Sequence, residues 1–167
     1  MTLEELLEVH IRNVRRVIAA AVAPGGDIAP MCAAFRDGTV SDITVVQVSP
    51  DARARQAQHN GLMEWLKEVG AEAYTWVAPA WGVTLATTDN LAAQQAAITA
   101  GGGVKNRPDR EEVVLCVVGD KTATLSTELL VVRSADGRIT ELKPTTVSRT
   151  VTGLFHDLLL QATGRVS

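Results

Sequence analysis

The chain has only two cysteines, Cys32 and Cys116, far apart and outside any CxxC pair. That scarcity excludes a disulfide framework and a cysteine-rich zinc site, so both thiols read as reduced side chains buried in strands. Aromatic residues are just as sparse: one tyrosine, two phenylalanines, and Trp65, Trp76 and Trp81. So little ring surface leaves no stacking platform for single-stranded nucleic acid. Basic residues are scattered apart from Arg12, Arg15 and Arg16, and the formal net charge is −3, so the dense positive footprint of a nucleic-acid binder is missing too. The three arginines read as a solvated helix face. No run approaches the roughly 20 apolar residues that span a bilayer. The opening segment, MTLEELLEVH, is acidic where a secretory leader would be basic. These absences lead us to expect a cytoplasmic protein with no membrane partner.

What is present is enough for one core. A chain of 167 residues, 46% hydrophobic and 21% charged, has the composition of a single globular domain spanning residues 1–167. Leu3, Leu7, His10, Val14, Val17 and Ala21 recur at helical spacing and predict an amphipathic helix from Thr2 to Val22, stopped by Pro24-Gly25-Gly26. Pro30 to Arg36 and Ile43 to Val48 read as a hairpin around Asp37-Gly38, with a loop longer than the tightest turns. Ser49-Pro50-Asp51 opens a second helix, in which Ser49 supplies the capping hydroxyl and Gln58, Leu62, Trp65, Leu66 and Val69 form the inner stripe. Ala71 to Ala86 is rich in strand formers, but Pro79 and Gly82 predict a bulged strand or two short ones. Thr88-Asp89-Asn90 caps a short alanine-rich helix ending at Ala100.

The firmest pattern lies in the last third. Glu111 to Val118, Ala123 to Arg133 and Arg138 to Lys143 are separated by Gly119-Asp120-Lys121 and Asp136-Gly137, the signature of a three-stranded meander. Val113 to Val118 is apolar at every position, which predicts a strand covered on both faces. A last helix is expected over Val151 to Ala162, with Leu154, Phe155, Leu158 and Leu159 on one side. This order of elements predicts an α+β fold, mainly an antiparallel sheet with a C-terminal meander, flanked by helices.

Few residues suggest chemistry. His10, His59 and His156 sit in or beside apolar helix stripes and form no HxH or HExxH pair, so they read as structural. No GxSxG nucleophile turn exists, and Gly101-Gly102-Gly103 followed by Lys105 lacks the spacing of a phosphate loop. Glu141-Leu142-Lys143 has the ExK spacing of a restriction-like nuclease half-site, with Asp120 or Asp136 as the partner acid. Two-residue turns at Asp120-Lys121 and Asp136-Gly137 would set Val113 opposite Glu128, Glu111 opposite Leu130, Val132 opposite Glu141 and Leu130 opposite Lys143. Glu111, Glu128, Glu141 and Lys143 then share one face, as a solvated charge ladder or as oxygen ligands of a divalent metal. A second candidate group is Tyr74, Trp76 and Trp81, which gather near Pro79 and read as core or as a binding hot spot.

Glu72-Ala73-Tyr74-Thr75-Trp76, followed by Pro108-Asp109-Arg110-Glu111-Glu112 entering an apolar strand and hairpin, resembles a family of small uncharacterised bacterial and phage α+β proteins with EAW-like and PDREE-like segments. The similarity covers the middle third of the chain and implies no activity. The sequence therefore favours a non-enzymatic interaction module that binds a protein partner or forms a homo-oligomer, and that needs no cofactor. The alternative is a metal-dependent hydrolase or nuclease using the meander carboxylates.

Overall fold

The computed structural model describes residues 1–47, 49, 51–82, 91–103 and 106–148. The expected cap at Thr88 to Asn90, the Val104-Lys105 pair and the expected last helix, His156 included, lie outside these residues. The described chain runs α1 (Leu3–Ala21), β1 (Met31–Arg36), β2 (Thr39–Val45), α2 (Ala52–Glu68), β3 (Ala73–Gly82), α3 (Leu91–Ala100), β4 (Glu111–Asp120), β5 (Thr124–Arg133) and β6 (Ile139–Ser148). The strands form one curled sheet in the order β2-β1-β3-β4-β5-β6, antiparallel throughout, so the fold is α+β with a C-terminal meander as expected.

Helix α1 begins where its first backbone donors are satisfied. Thr2 Oγ1 accepts from the Glu5 N–H at 3.1 Å, and Glu5 Oε2 accepts from the Thr2 N–H at 2.7 Å, a reciprocal box that fixes the first turn. The buried face is Leu6, Leu7, His10, Val14 and Ile18. The expected stripe is thus rotated, and Val17 and Ala21 stay exposed because the sheet meets the helix one residue to the side. Helix α2 is capped by Asp51, whose carboxylate accepts from the Ala54 N–H at 2.8 Å. Ser49 does not cap the helix directly. Its hydroxyl accepts from the Asp51 N–H at 3.1 Å and so holds the cap in place. Its inner face is His59, Leu62 and Leu66, with Trp65 and Val69 packed at the margin.

The strands depart from expectation in three instructive places. The first hairpin has a tight turn: Asp37 (φ 53°) and Gly38 (φ 75°) are both left-handed, the conformation of a two-residue turn whose twist suits antiparallel strands. Strand β2 therefore starts at Thr39 rather than at Ile43. Strand β3 is one continuous strand, not two. Its pairing with β1 ends at Val77↔Met31, whereas its pairing with β4 continues through Pro79↔Val114 to Gly82↔Glu111. Pro79 thus sits where β3 has a neighbour on one side only, and its missing N–H breaks no ladder.

The third departure is the β4-β5 turn, which takes four residues instead of two. Asp120 Oδ1 accepts from the N–H groups of Thr122 and Ala123 and from the Thr122 hydroxyl, so Gly119 pairs with Thr124. The register moves by two and the facing side chains keep their side: Leu115 now faces Glu128 and Val113 faces Leu130. In the β5-β6 connection the Ser134 N–H donates to the Arg138 carbonyl, and a bulge follows at Val132/Arg133. That bulge restores the expected pairs Val132↔Glu141 and Leu130↔Lys143. Strand β6 also continues past Lys143, through Pro144, to Ser148.

Helix α1 covers one face of the sheet through Val14, Ile18, Val114, Cys116, Leu129 and Leu142. Helix α2 covers part of the other through Leu62, Leu66, Cys32, Tyr74, Trp76 and Val117. The two cysteines therefore lie on opposite faces, and burial pushes both thiols up to about 12. The expectation of a strand covered on both sides is met in β4, where only Leu115 of Val113 to Val118 is not fully buried.

Tyr74 is wholly buried and pairs with Gly119, and a Cβ on that glycine would lie 2.5 Å from Tyr74 Cε1. The ring occupies the space a side chain would take. We expect Gly119→Ala to destabilise the protein by about 1–3 kcal/mol through this overpacking. Urea unfolding measures it, and a variant as stable as wild type would show that the ring moves aside without cost.

Candidate docking surface beside the first helix

Because α1 crosses only part of its sheet face, it stands as a ridge with a depression on each flank. On the β6 side, Glu8, Arg12, Arg15 and Arg16 line a cavity of about 670 Å³ with Thr140, Glu141 and Pro144. The three arginines are exposed there, as expected, and mixed with acids of opposite sign. On the other side the helix shows Val9, Asn13 and Val17, spaced four apart, to the sheet residues Met31, Ala33, Phe35, Val40 and Ile43. Together they line a groove of about 230 Å³ that is almost wholly apolar.

The groove lies where α1 covers its face of the β1-β2 hairpin only in part: Met31 and Phe35 pack at the margin of the clusters around α1, and β2 is left exposed. Met31, Ala33 and Phe35 of β1 pair with Val45, Ile43 and Val40 of β2, so all six point to the α1 side. Val17 is 47% exposed, Val40 49%, Ile43 64% and Val45 61%. Scattered apolar residues on a surface need no explanation, but here Val17, Val40 and Ile43 line one groove and Val45 follows Ile43 on the same face of β2. The sequence gives a faint sign of this in the β-branched alternation at Ile43 and Val45. Val40 and Val17 were missed because the turn length and the helix rotation decide which way they face.

His10 forms part of the groove wall and is itself buried. Its Nε2–H donates to the Trp76 carbonyl at 3.0 Å. Burial nevertheless dominates and pushes the imidazole down from 6.5 to about 4. His10 is thus the structural histidine expected from its place in the helix stripe, and burial keeps it neutral near pH 7.

The residues singled out in the sequence separate into three groups. Tyr74 and Trp76 are core beneath α2, not a binding surface. Trp81 does not gather with them: it points to the opposite face, 48% exposed, with the Arg110 guanidinium carbon 4.7 Å from its ring centroid. The register does place Glu111, Glu128, Glu141 and Lys143 on a common face, all exposed. Glu128 reaches toward Gly82, the partner of Glu111, whereas Glu141 borders the arginine-lined cavity at the far edge. Among the described residues no three of His, Cys, Asp and Glu come together as a metal site requires. The acids proposed to complete an ExK half-site are committed to turns: Asp120 holds Thr122 and Ala123, and Asp136 accepts from the Ser134 hydroxyl and the Arg138 N–H. Gly101-Gly102-Gly103 closes α3 by donating to Ala97, Thr99 and Ile98, so the triplet is a helix stop.

Two outcomes follow. The depressed His10 pKa means that the folded state binds fewer protons than the unfolded chain between pH about 4 and 6.5. Stability is therefore full above 6.5 and falls by roughly 3 kcal/mol as pH drops toward 4, with His59, also lowered by burial, adding in the same direction. His10→Gln, which keeps a donor for the Trp76 carbonyl, flattens that slope in a pH series of urea unfolding curves. An unchanged slope would show that other groups cause the loss. Second, Glu111→Gln and Glu141→Gln shift stability by less than about 0.5 kcal/mol, and calorimetry with Mg²⁺ or Mn²⁺ gives no heat. Heat in the wild type that both substitutions abolish would establish a metal site. Compared with family models, curated proteins and solved structures, the chain matches none of them.

Proposed function

We propose that the chain is a non-enzymatic interaction module whose binding surface is the apolar groove between α1 and the β1-β2 hairpin. The observation that carries this reading is the contiguous exposure of Val17, Val40, Ile43 and Val45 beside that groove. Burying such side chains against a partner contributes about 25 cal/mol per Å² of apolar surface removed from water. Leaving them in water does nothing for the fold. Shape supports the same reading, because a concave apolar wall with His10, Asn13 and Thr75 as its polar points suits an apolar segment of another protein. No helix among the described residues is long and apolar enough to cross a membrane.

The test uses an environment-sensitive apolar dye titrated onto the native protein. Fluorescence rises with the wild type and falls several-fold with Val17→Glu, whose unfolding midpoint stays close to that of the wild type because Val17 is outside the core. A wild type that gives no enhancement, or a Val17→Glu variant that binds the dye equally well, would remove the groove as the binding surface.

A further inference from the structure

Strand β2 is the outer strand of the sheet, and among the described residues nothing pairs with its outer edge. The phase of that edge is fixed. The Val46 N–H donates to the Pro30 carbonyl at 2.9 Å, so Val46/Pro30 is a hydrogen-bonded pair, and by alternation so are Thr44/Cys32 and Asp42/Ala34. The backbone N–H and C=O of Ile43 and Val45 therefore point away from β1, toward solvent. These are also the two most exposed large apolar residues of the strand, two apart on the same face.

Proteins usually blunt such an edge with lysine, proline, an inward charge or a covering element. Residues 39–47 carry neither lysine nor proline, and the one charge is Asp42, on the opposite face from Ile43 and Val45. The bulge at Ala34/Phe35 disturbs only the hairpin end, which leaves Asp42 onward regular.

We propose that this edge is a self-association surface, on which a second copy of the chain pairs β2 with β2 antiparallel about a twofold axis through Thr44. The proposal rests on the reading of the β1-β2 patch as an interaction surface and names its partner. In this register Ile43 faces Val45 of the copy, and the reverse, so the outward N–H and C=O groups of both residues bond across the axis. The most exposed apolar side chains cover one another, and Thr44 meets its own counterpart, a favourable cross-strand pair. Asp42 falls opposite Val46 of the copy and not opposite another carboxylate. A register centred on Asp42 would set two like charges face to face, a repulsion that the Thr44 axis avoids. The joined sheets also bring two apolar grooves onto one continuous face, each beside its own α1.

Light scattering with chromatography at micromolar concentration is expected to give twice the 17.8 kDa chain mass. Ile43→Pro, which deletes an outward N–H without touching the bonds to β1, is expected to give the monomer. Thr44→Cys tests the register without weakening the fold. Residues facing each other in a non-hydrogen-bonded antiparallel pair lie about 4.5 Å apart at Cα, within disulfide range, so mild oxidation yields a covalent dimer. Val40→Cys, off the axis, does not. The native thiols are buried and give no background. A monomeric wild type overturns the proposal, and so does a dimer that survives Ile43→Pro and leaves Thr44→Cys uncrosslinked. If the monomer still binds the apolar dye in a Val17-dependent way, self-pairing falls and the docking groove stands. Without dye binding, both fall.

Discussion

Burial of β4 on both faces is the constraint from which the rest of the structure follows. Val114, Cys116 and Val118 need cover on one side, and Val113 and Val117 on the other. One helix cannot supply both. Helix α1 takes the first set together with β5 and β6, and α2 with Tyr74 and Trp76 takes Val117. The sheet must extend beyond β4 in both directions to carry these elements, so β4 ends up near the centre of six strands.

Having two helices on opposite faces of a six-stranded sheet leaves areas that neither reaches. Helix α1 packs chiefly on β4, β6, β5 and β3, reaches β1 only at Met31 and Phe35, and leaves Val40, Ile43 and Val45 of β2 exposed on its side. The exposed patch is thus a consequence of where the core needed cover, and its composition carries the functional argument. A solvent-exposed sheet face is normally polar, yet here β2 presents Val40, Ile43 and Val45.

The opposite end of the sheet is secured by polar contacts. Arg133 makes two 2.8 Å bonds to Glu112 and donates as well to the carbonyls of Gly137 and Gly26. One guanidinium so ties β4, the β5-β6 turn and the loop after α1, and it holds the Glu112 carboxyl below the usual range. On the opposite face, among the described residues, the exposed glutamates do not gather with a further His, Cys, Asp or Glu as a metal site requires.

The sequence by itself determined the α+β class, the meander, the buried thiols and the structural histidine in α1, because each depends on periodicity or local turn chemistry. Even the shared face of Glu111, Glu128, Glu141 and Lys143 was legible, since the four-residue β4-β5 turn moved the register by an even number. Only the tertiary structure decided whether Pro79 breaks a strand, which depends on where β1 stops beside β3. It also decided that Trp81 leaves the company of Tyr74 and Trp76, and that Val17 and Ile43 meet across a groove. Those outcomes rest on which elements become neighbours, and no local pattern of side chains encodes the distance between a helix and a hairpin that follow one another in the chain but pack on different strands.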